Sequence, residues 1–322
     1  MSIQFSVIIP TYNQADFLRE ALKSVFGQTY CNYEVIVINN MSTDDTVSVV
    51  EEWDVDNLTL INFPNEGIIG LARNVGIQAS TGDYVAFLDS DDVWYPTKLD
   101  FIHDAIERSS NPGLFCHNQD LIRNGMPAGV ARYGPQLGSK LSMHSYLLTR
   151  GNCVSTSATV VARKYLEEVG GFSEESSLCT VEDYDLWMKL AKICAFEFLP
   201  ERLGVHNYHS RGASANVEVH LAATISVLSK HFNEEESLDR WGLRLAMRRL
   251  VSKAYYSAAR DYQRRGGLAS PIKYYALMFK SYPFQMRAIG SIALLLIDLV
   301  LGQSIRRRIV QAILPGRKFA SW

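Results

Sequence analysis

"YVAFLDSDDVW", residues 84–94, runs through five non-polar residues and then sets Asp89, Asp91 and Asp92 almost side by side. A short run rich in β-branched and aromatic residues reads as a strand buried on both faces. Carboxylates packed this closely repel and raise one another's pKa unless positive charge sits among them. The stretch needs a positive partner that it does not contain.

Upstream, the same pattern recurs. Residues 5–9 (FSVII), 33–39 (YEVIVIN) and 58–63 (LTLINF) read as strands, and 83–89 (DYVAFLD) as the fourth. Between them, 15–27, 43–53 and 69–80 carry apolar residues at helical spacing. The first helix stops at Gly27, and Ser42 is the expected N-cap of the second. Strand–helix alternation at this spacing predicts an open, mostly parallel α/β sheet with right-handed crossovers. Such sheets bind ligands at the carboxyl ends of their strands. The polar clusters PTYN, NNMSTDD, PNEG and DSDD all fall there, so four loops should converge on one rim.

Residues 112–180 are rich in Gly and Ser with weak periodicity, as expected of loops and short strands around a cleft. A helix is predicted over 179–193, where Leu186, Trp187, Leu190 and Ala191 share a face. From 219 onward the pattern is helical, and 254–283 reads as a helix–turn–helix pair broken at Gly266-Gly267. The expected organisation is a catalytic domain over 1–218 and a basic helical region over 219–322.

Composition sets bounds. The 322 residues are 47% hydrophobic and 20% charged, ordinary for a soluble globular chain. The five cysteines form no CxxC pair, which suits reduced cytoplasmic thiols better than a disulfide framework. The N-terminus shows no basic segment followed by a long apolar one, so no export signal is expected. The net charge of −2 hides an asymmetry: residues 241–322 hold 15 Lys and Arg against 2 acids, and residues 1–240 hold 17 against 32. Either the basic tail meets an anionic surface, or it neutralises the acidic body within the folded chain. No nucleic-acid partner is expected.

Asp89-Ser90-Asp91 places two carboxylates at i and i+2 of an extended segment, facing one way. A divalent ion held by one or two carboxylates and completed by substrate phosphates is the usual arrangement for Mg²⁺. A metal–diphosphate would then be the missing positive partner.

"FSVIIPTYNQADFLREALKSVFGQT", "EVIVINNMSTDDT", "NEGIIGLARNVGIQASTGDYVAFLDSDDVWYPTKL" and "VEDYDLWMKLA" together resemble the family-2 inverting glycosyltransferases of fold type A, over about residues 5–215. The resemblance implies a Rossmann-like sheet and a metal-dependent enzyme using Mn²⁺ or Mg²⁺. Such an enzyme moves one sugar from a nucleotide diphospho-sugar to a glycan or lipid-linked glycan acceptor, in surface polysaccharide synthesis of the O-antigen or capsule type. It implies that Pro10, Thr11 and Tyr12 contact the nucleoside and that Arg73 lies near the ribose-diphosphate. Asp89 and Asp91 match the Asp-x-Asp motif, Asp91 being favoured as the direct metal ligand. Asp183 matches the general base, with Glu182 the alternative. Asp185 reads as helix polarity. Asn39 and Asn40 stand where the family carries Asp-Asp or Asp-Asn, which leaves UDP, GDP and dTDP open as donor nucleotides. His209, with Ser214, matches a histidine that completes the metal site; a plain loop histidine is the alternative.

His206 and His209 form a His-x-x-His, but no following Glu or Cys pair supports zinc. His117 would line an acceptor pocket or have no role. A nucleotidyltransferase or a dinucleotide dehydrogenase would need a glycine-rich loop after the first strand, and PTYNQ has no glycine. A catalytically inactive sugar-nucleotide-binding subunit is the non-enzymatic alternative, raised by Asn39-Asn40.

The segment 289–302 (IGSIALLLIDLVLG) is too short and, with Asp298, too charged for a membrane span. With Arg306, Arg307, Arg308, Arg317, Lys318 and Trp322 it would either pack as a core helix or lie in the interface of an anionic membrane. The latter would make the protein cytoplasmic and peripheral at the inner face of the plasma membrane.

Overall fold

In the computed structural model, residues 3–109, 112–123, 125–209, 216–235, 239–266, 268–284 and 288–301 are described. The first quarter alternates as its pattern requires: β1 (Phe5–Thr11), α1 (Ala15–Phe26), β2 (Tyr33–Asn39), α2 (Thr46–Glu51), β3 (Leu58–Asn62), α3 (Ile69–Ala79) and β4 (Tyr84–Phe87). β1 pairs in parallel with β2 and β4, and β2 with β3. All seven residues of β1 are buried because both faces of the sheet are covered. Phe5, Val7 and Ile9 join Leu18, Ala21, Leu22 and Val25 of α1 in one core. Ile8 points the other way, beneath α3. There Gly76 approaches so closely that a Cβ would stand 2.5 Å from Ile8 Cγ2, so only glycine fits.

The chain continues through β5 (Val93–Trp94), α4 (Lys98–Arg108), β6 (Pro112–Arg123), β7 (Met126–Ala131), α5 (Met143–Arg150), β8 (Thr159–Ala162), α6 (Arg163–Glu168), α7 (Glu182–Leu190) and β9 (Ala195–Tyr208). One nine-stranded sheet results, in the order β3-β2-β1-β4-β8-β6-β9-β5, with β7 paired to β6. β8 enters antiparallel to β4 and β6, whereas β6 and β9 run parallel.

Two expectations need correction. The stretch 112–180 holds more than loops and short strands: β6 is 12 residues long and pairs with the 14-residue β9. Their ladder shifts register at three places, and each shift breaks the two-residue alternation that would have marked a long strand. The second helix starts at Thr46, not at 43, and Ser42 does not cap it. Ser42 Oγ instead accepts from the Asn13 N–H at 2.9 Å, and the Thr43 N–H donates to Asn13 Oδ1 at 2.8 Å. Asp44 then caps α1 across the gap, accepting from the Ala15 N–H at 3.0 Å. Residues 42–44 therefore tie two rim loops together and are unavailable to a helix, which begins after Asp45.

The chain divides into two compact units between residues 210 and 211, with Leu148–Gly151 belonging to the second. The second unit contains α8 (Val217–Glu234), α9 (Arg240–Arg264), α10 (Ala269–Ser281) and α11 (Ala288–Leu301). α9 and α10 form the expected antiparallel pair: Arg248 hydrogen-bonds Ser281, Ser252 Met278, and Gln263 Tyr275. Gln263 is the buried polar hub. Its Oε1 accepts from Tyr275 and Arg260, each at 2.9 Å, and its Nε2 donates to the Ser291 carbonyl of α11 at 3.1 Å. A buried polar network with its partners in place fixes how helices pack. No described helix is long and apolar enough to cross a membrane. The basic cluster at 306–308 and residues 317, 318 and 322 lie outside the described residues.

Candidate active site at the carboxyl ends of the strands

Each of the three crowded carboxylates meets its own nitrogen base. Asp89 Oδ1 accepts from Arg73 Nη2 at 2.6 Å, Asp91 Oδ2 lies 2.9 Å from His209 Nε2, and Asp92 Oδ2 lies 3.1 Å from His206 Nδ1. The partners come from α3 and from the end of β9, 16 to 118 residues away. β9 is held against the acidic loop by Asn207, whose N–H donates to Asp92 Oδ1 (2.8 Å) and whose Nδ2 donates to the Asp91 carbonyl (2.6 Å). Asp92 is 1% exposed and thus structural. It raises His206 to about 9: burial opposes the charge, and the Asp92 contact outweighs it.

Arg73 is 3% exposed and reaches both acidic motifs, since its Nη1 donates to Glu182 Oε1 at 2.6 Å. Burial disfavours its charge, but Asp89 and Glu182 overcompensate and its pKa rises. α3 delivers the guanidinium by lying unusually close to residues 172–182. A Cβ on Gly70 would meet the Ser173 carbonyl at 2.5 Å, so glycine is required there. One residue beyond Arg73, the buried Asn74 locks the approach: its Nδ2 donates to the Phe172 carbonyl (3.0 Å) and Glu174 (2.9 Å), and its Oδ1 accepts from the Phe172 N–H (2.8 Å).

Asp183 sits at the start of α7, half-buried. It follows Thr180, a β-branched residue at φ +79°, a strained conformation that sets the direction of the helix start. Burial first, then Glu182, push the Asp183 carboxyl up to about 7, and Arg73 only partly offsets this. Thr156 Oγ1 donates to Asp183 Oδ2 at 3.4 Å. Asp185, also in the acidic first turn of α7, is fully buried and pairs with Lys189 at 3.5 Å.

Thr156 belongs to a 3-10 turn, Thr156–Ala158. The Asp89 N–H donates to Ser157 Oγ at 3.1 Å, and the Ser157 carbonyl accepts from Trp94 Nε1 (2.8 Å) and Lys98 Nζ (3.1 Å). Lys98 is fully buried with its ammonium 3.3 Å from the Trp94 ring centroid, and burial drives its pKa well down. One turn thus supports the acidic loop on one side and Asp183 on the other. Nothing in a Ser-Thr-Ser-Ala string announces this, so sequence reasoning missed it; Asn74, Ser157 and Gln14, which accepts from Ser90 Oγ, were missed with it.

Pro10 and Thr11 end β1 at the rim and Tyr12 follows them, Thr11 buried and Tyr12 55% exposed. Asn39 is 1% exposed, and its amide is engaged internally: Oδ1 accepts from the Ser42 N–H at 3.0 Å and Nδ2 donates to Asn62 Oδ1 at 2.8 Å. Asn40 Oδ1 accepts from the Asn65 N–H at 2.9 Å, joining the loops after β2 and β3. Asn13, Met41 and Glu66, one in each of three rim loops, hold positive φ of 49° to 52°. His117 is fully buried, its Nδ1 donating to the Asn118 carbonyl at 2.8 Å; burial, then Lys98, depress its pKa. It does not line an open pocket.

A divalent cation would fit at Asp91 and His209. The two side chains converge on one point, offering an oxygen and an imidazole nitrogen. Burial, then Asp92 and Asp89, push the Asp91 carboxyl up to about 8, a strain that a cation would relieve. His209 is held in place by stacking on Phe17, 4.8 Å between centroids. Among the described residues no cluster of three ligands exists, so substrate and water oxygens would complete the shell. Ser214 lies outside the described residues.

Comparison with known proteins adds the following. Residues 6–125 match the model of glycosyl transferase family 2. The amylovoran biosynthesis glycosyltransferase AmsB of Erwinia amylovora is 31% identical over 216 residues, covering 64% of this chain and 70% of AmsB. An uncharacterized glycosyltransferase of Rickettsia felis is 30% identical over 220 residues, 67% of this chain but 36% of that protein. The chain thus spans only about a third of the Rickettsia relative. Among solved structures, S. aureus TarS 1-349 in complex with UDP-GlcNAc superposes with a TM-score of 0.62 at 18% identity, covering 98% of this chain and 93% of that one. The mannosyltransferase PcManGT of Pyrobaculum calidifontis, in complex with GDP-Man and Mn²⁺, gives 0.55 at 19% identity over 97% and 88%. These two likenesses establish the type A fold.

Proposed function

The chain belongs to glycosyltransferase family 2, and on that premise we propose that it is a metal-dependent inverting enzyme. It would transfer one sugar from a nucleotide diphospho-sugar to a glycan or lipid-linked glycan in surface polysaccharide synthesis. The observation that carries the reading is Arg73 bridging Asp89 and Glu182, which gathers the Asp-x-Asp loop and the Glu-Asp helix start into one site.

Asp183 takes the proton from the acceptor hydroxyl as its oxygen attacks the anomeric carbon. The carbon–oxygen bond to the diphosphate breaks on the opposite face, so configuration inverts. A base poised near 7 is matched to this task. Glu182 is unsuited to it, because it is buried and its Oε1 is bonded to Arg73. Thr156 orients Asp183. Asp91 and His209 would hold Mn²⁺ or Mg²⁺, which supplies charge stabilisation for the departing diphosphate. The loops after β1 and β2 receive the nucleoside, with Tyr12 exposed and Asn40 half-buried. The relative AmsB, in amylovoran biosynthesis, supports the polysaccharide setting. The donor complexes of TarS and PcManGT support a nucleotide-sugar donor. We place the protein in the cytoplasm, peripheral at the membrane, on the strength of its charge segregation.

Incubating purified protein with Mn²⁺ and a panel of UDP-, GDP- and dTDP-sugars tests the reading. Release of the nucleoside diphosphate from one donor, abolished in Asp91→Ala, is expected. One observation favours the inactive binding subunit instead: Asn39 spends its amide on Ser42 and Asn62 and offers no charge to a base. Donor-induced thermal stabilisation without any hydrolysis or transfer would establish that alternative.

A further inference from the structure

α9 carries an exposed face for which the catalytic reading has no use. Trp241 is 74% and Leu245 40% exposed, and Arg244, Arg248 and Arg249 are exposed beside them. At about 100° per residue, Trp241 and Leu245 occupy the middle of this face, with Arg244 and Arg248 on one flank and Arg249 on the other. Leu243 and Leu250, 7% and 6% exposed, point the opposite way into the protein. Among the described residues none of these three arginines pairs with a carboxylate. Arg248 Nε donates to the Ser281 carbonyl at 2.9 Å, which brings the end of α10 alongside. Three residues further, Phe284 is 73% exposed, packed edge-on to Tyr282.

A large indole at three-quarters exposure, an aliphatic neighbour and a second exposed aromatic cost solvation free energy unless something covers them. Arginines on both flanks select what the cover is. Their guanidinium groups can reach phosphates while their stems lie along apolar surface, and an indole is suited to the headgroup boundary. We infer that the Trp241–Arg249 face of α9, with Phe284, docks on an anionic phospholipid surface. Trp241 and Leu245 enter the headgroup layer, and Arg244, Arg248 and Arg249 contact lipid phosphates. The inference sharpens the peripheral location proposed above and rests on it, but moves the contact from the C-terminal arginines to α9.

The test is co-sedimentation of the full-length chain with vesicles of phosphatidylglycerol and phosphatidylcholine, and with phosphatidylcholine alone. Four proteins are compared: wild type, Trp241→Ser/Leu245→Ser, Arg244→Gln/Arg248→Gln/Arg249→Gln, and a tail variant with Arg306, Arg307 and Arg308 changed to Gln. Thermal melting confirms that each is folded. Wild type should bind the anionic vesicles and not the neutral ones. At about fivefold per basic residue near an anionic surface, the α9 arginine variant should lose on the order of 10²-fold in affinity. The Trp241/Leu245 variant should bind more weakly at every salt concentration. α9 variants that bind like wild type, when wild type and tail variant differ strongly, would overturn the α9 assignment and leave the peripheral location standing. No binding by wild type would remove both. Light scattering that shows wild-type dimers dissolved by Trp241→Ser/Leu245→Ser would make the face a contact between copies and likewise overturn it.

Discussion

Arg73 Nη1 stands 2.6 Å from Glu182 Oε1 while its Nη2 stands 2.6 Å from Asp89 Oδ1. A single buried guanidinium therefore holds the acidic loop after β4 and the start of α7 at a fixed separation. It also distinguishes two adjacent acids: Glu182 is bonded to Arg73, and Asp183 is left with a raised pKa.

Removing that guanidinium should be costly. Arg73→Met leaves Glu182, 4% exposed, as an uncompensated buried carboxylate, and breaking a buried pair this way costs about 3–5 kcal/mol. Urea unfolding should show that loss. Arg73→Lys should recover part of the stability but little activity, because one ammonium cannot make both bonds in the plane of a fork. Equal stability of Arg73→Met and wild type would refute the bridging role.

Asp183→Asn keeps the shape of the side chain and removes the proposed base. Transfer should fall on the order of 10²–10⁴-fold, with donor binding nearly unchanged by thermal shift. Glu182→Gln should differ: it weakens the Arg73 contact, so stability and donor binding fall together with the rate.

The pH dependence follows from Asp183, whose folded pKa of about 7 lies above the ordinary value of 3.8. As the proposed base, Asp183 would work only when deprotonated, so kcat/KM should climb with pH through about 7. For stability the sign is opposite. The folded chain binds a proton that the unfolded chain has already lost, so this contribution is intact below about 4 and lost as pH rises to 7. Asp183→Asn should therefore be more stable than wild type at pH 8, with the gap closing toward pH 4. An unchanged pH profile in Asp183→Asn would assign the titration elsewhere.

Chelation by EDTA should abolish transfer, and Mn²⁺ or Mg²⁺ should restore it. His209→Ala should raise the metal concentration for half-maximal activity, on the order of tenfold or more. Phe17→Ala, which removes the ring stacked on His209, should act in the same direction but less strongly. Full turnover in metal-free buffer would sink the metal assignment.

Gly70→Ala forces a Cβ to within 2.5 Å of the Ser173 carbonyl, which neither backbone can relieve cheaply. Overpacking of this kind costs about 1–3 kcal/mol. Because α3 carries Arg73, activity should drop further than stability alone explains, measured at a temperature where the variant is fully folded.

Much of the first sheet was legible from the chain alone. Seven buried residues in β1 and four in β4 follow from short apolar runs, and the alternation with α1 and α3 from periodicities of 2 and 3.6. These are local signals, fixed by what lies within a few residues. The type of chemistry at the rim was equally local, because three acids after a buried strand demand a positive partner wherever the rest of the chain goes. Which partner each acid receives was not. Arg73, His209 and His206 reach Asp89, Asp91 and Asp92 from as far as 118 residues away, and sequence spacing carries no record of a contact made by folding. The same holds for the Thr156–Ala158 turn beneath Asp89 and Asp183, and for β6, whose register shifts erase its periodicity. Sequence determined that carboxylates would crowd one rim; only the packing of α3, α7 and β9 against it decided that Arg73 would pair with Asp89 and Glu182 and leave Asp183 with a raised pKa.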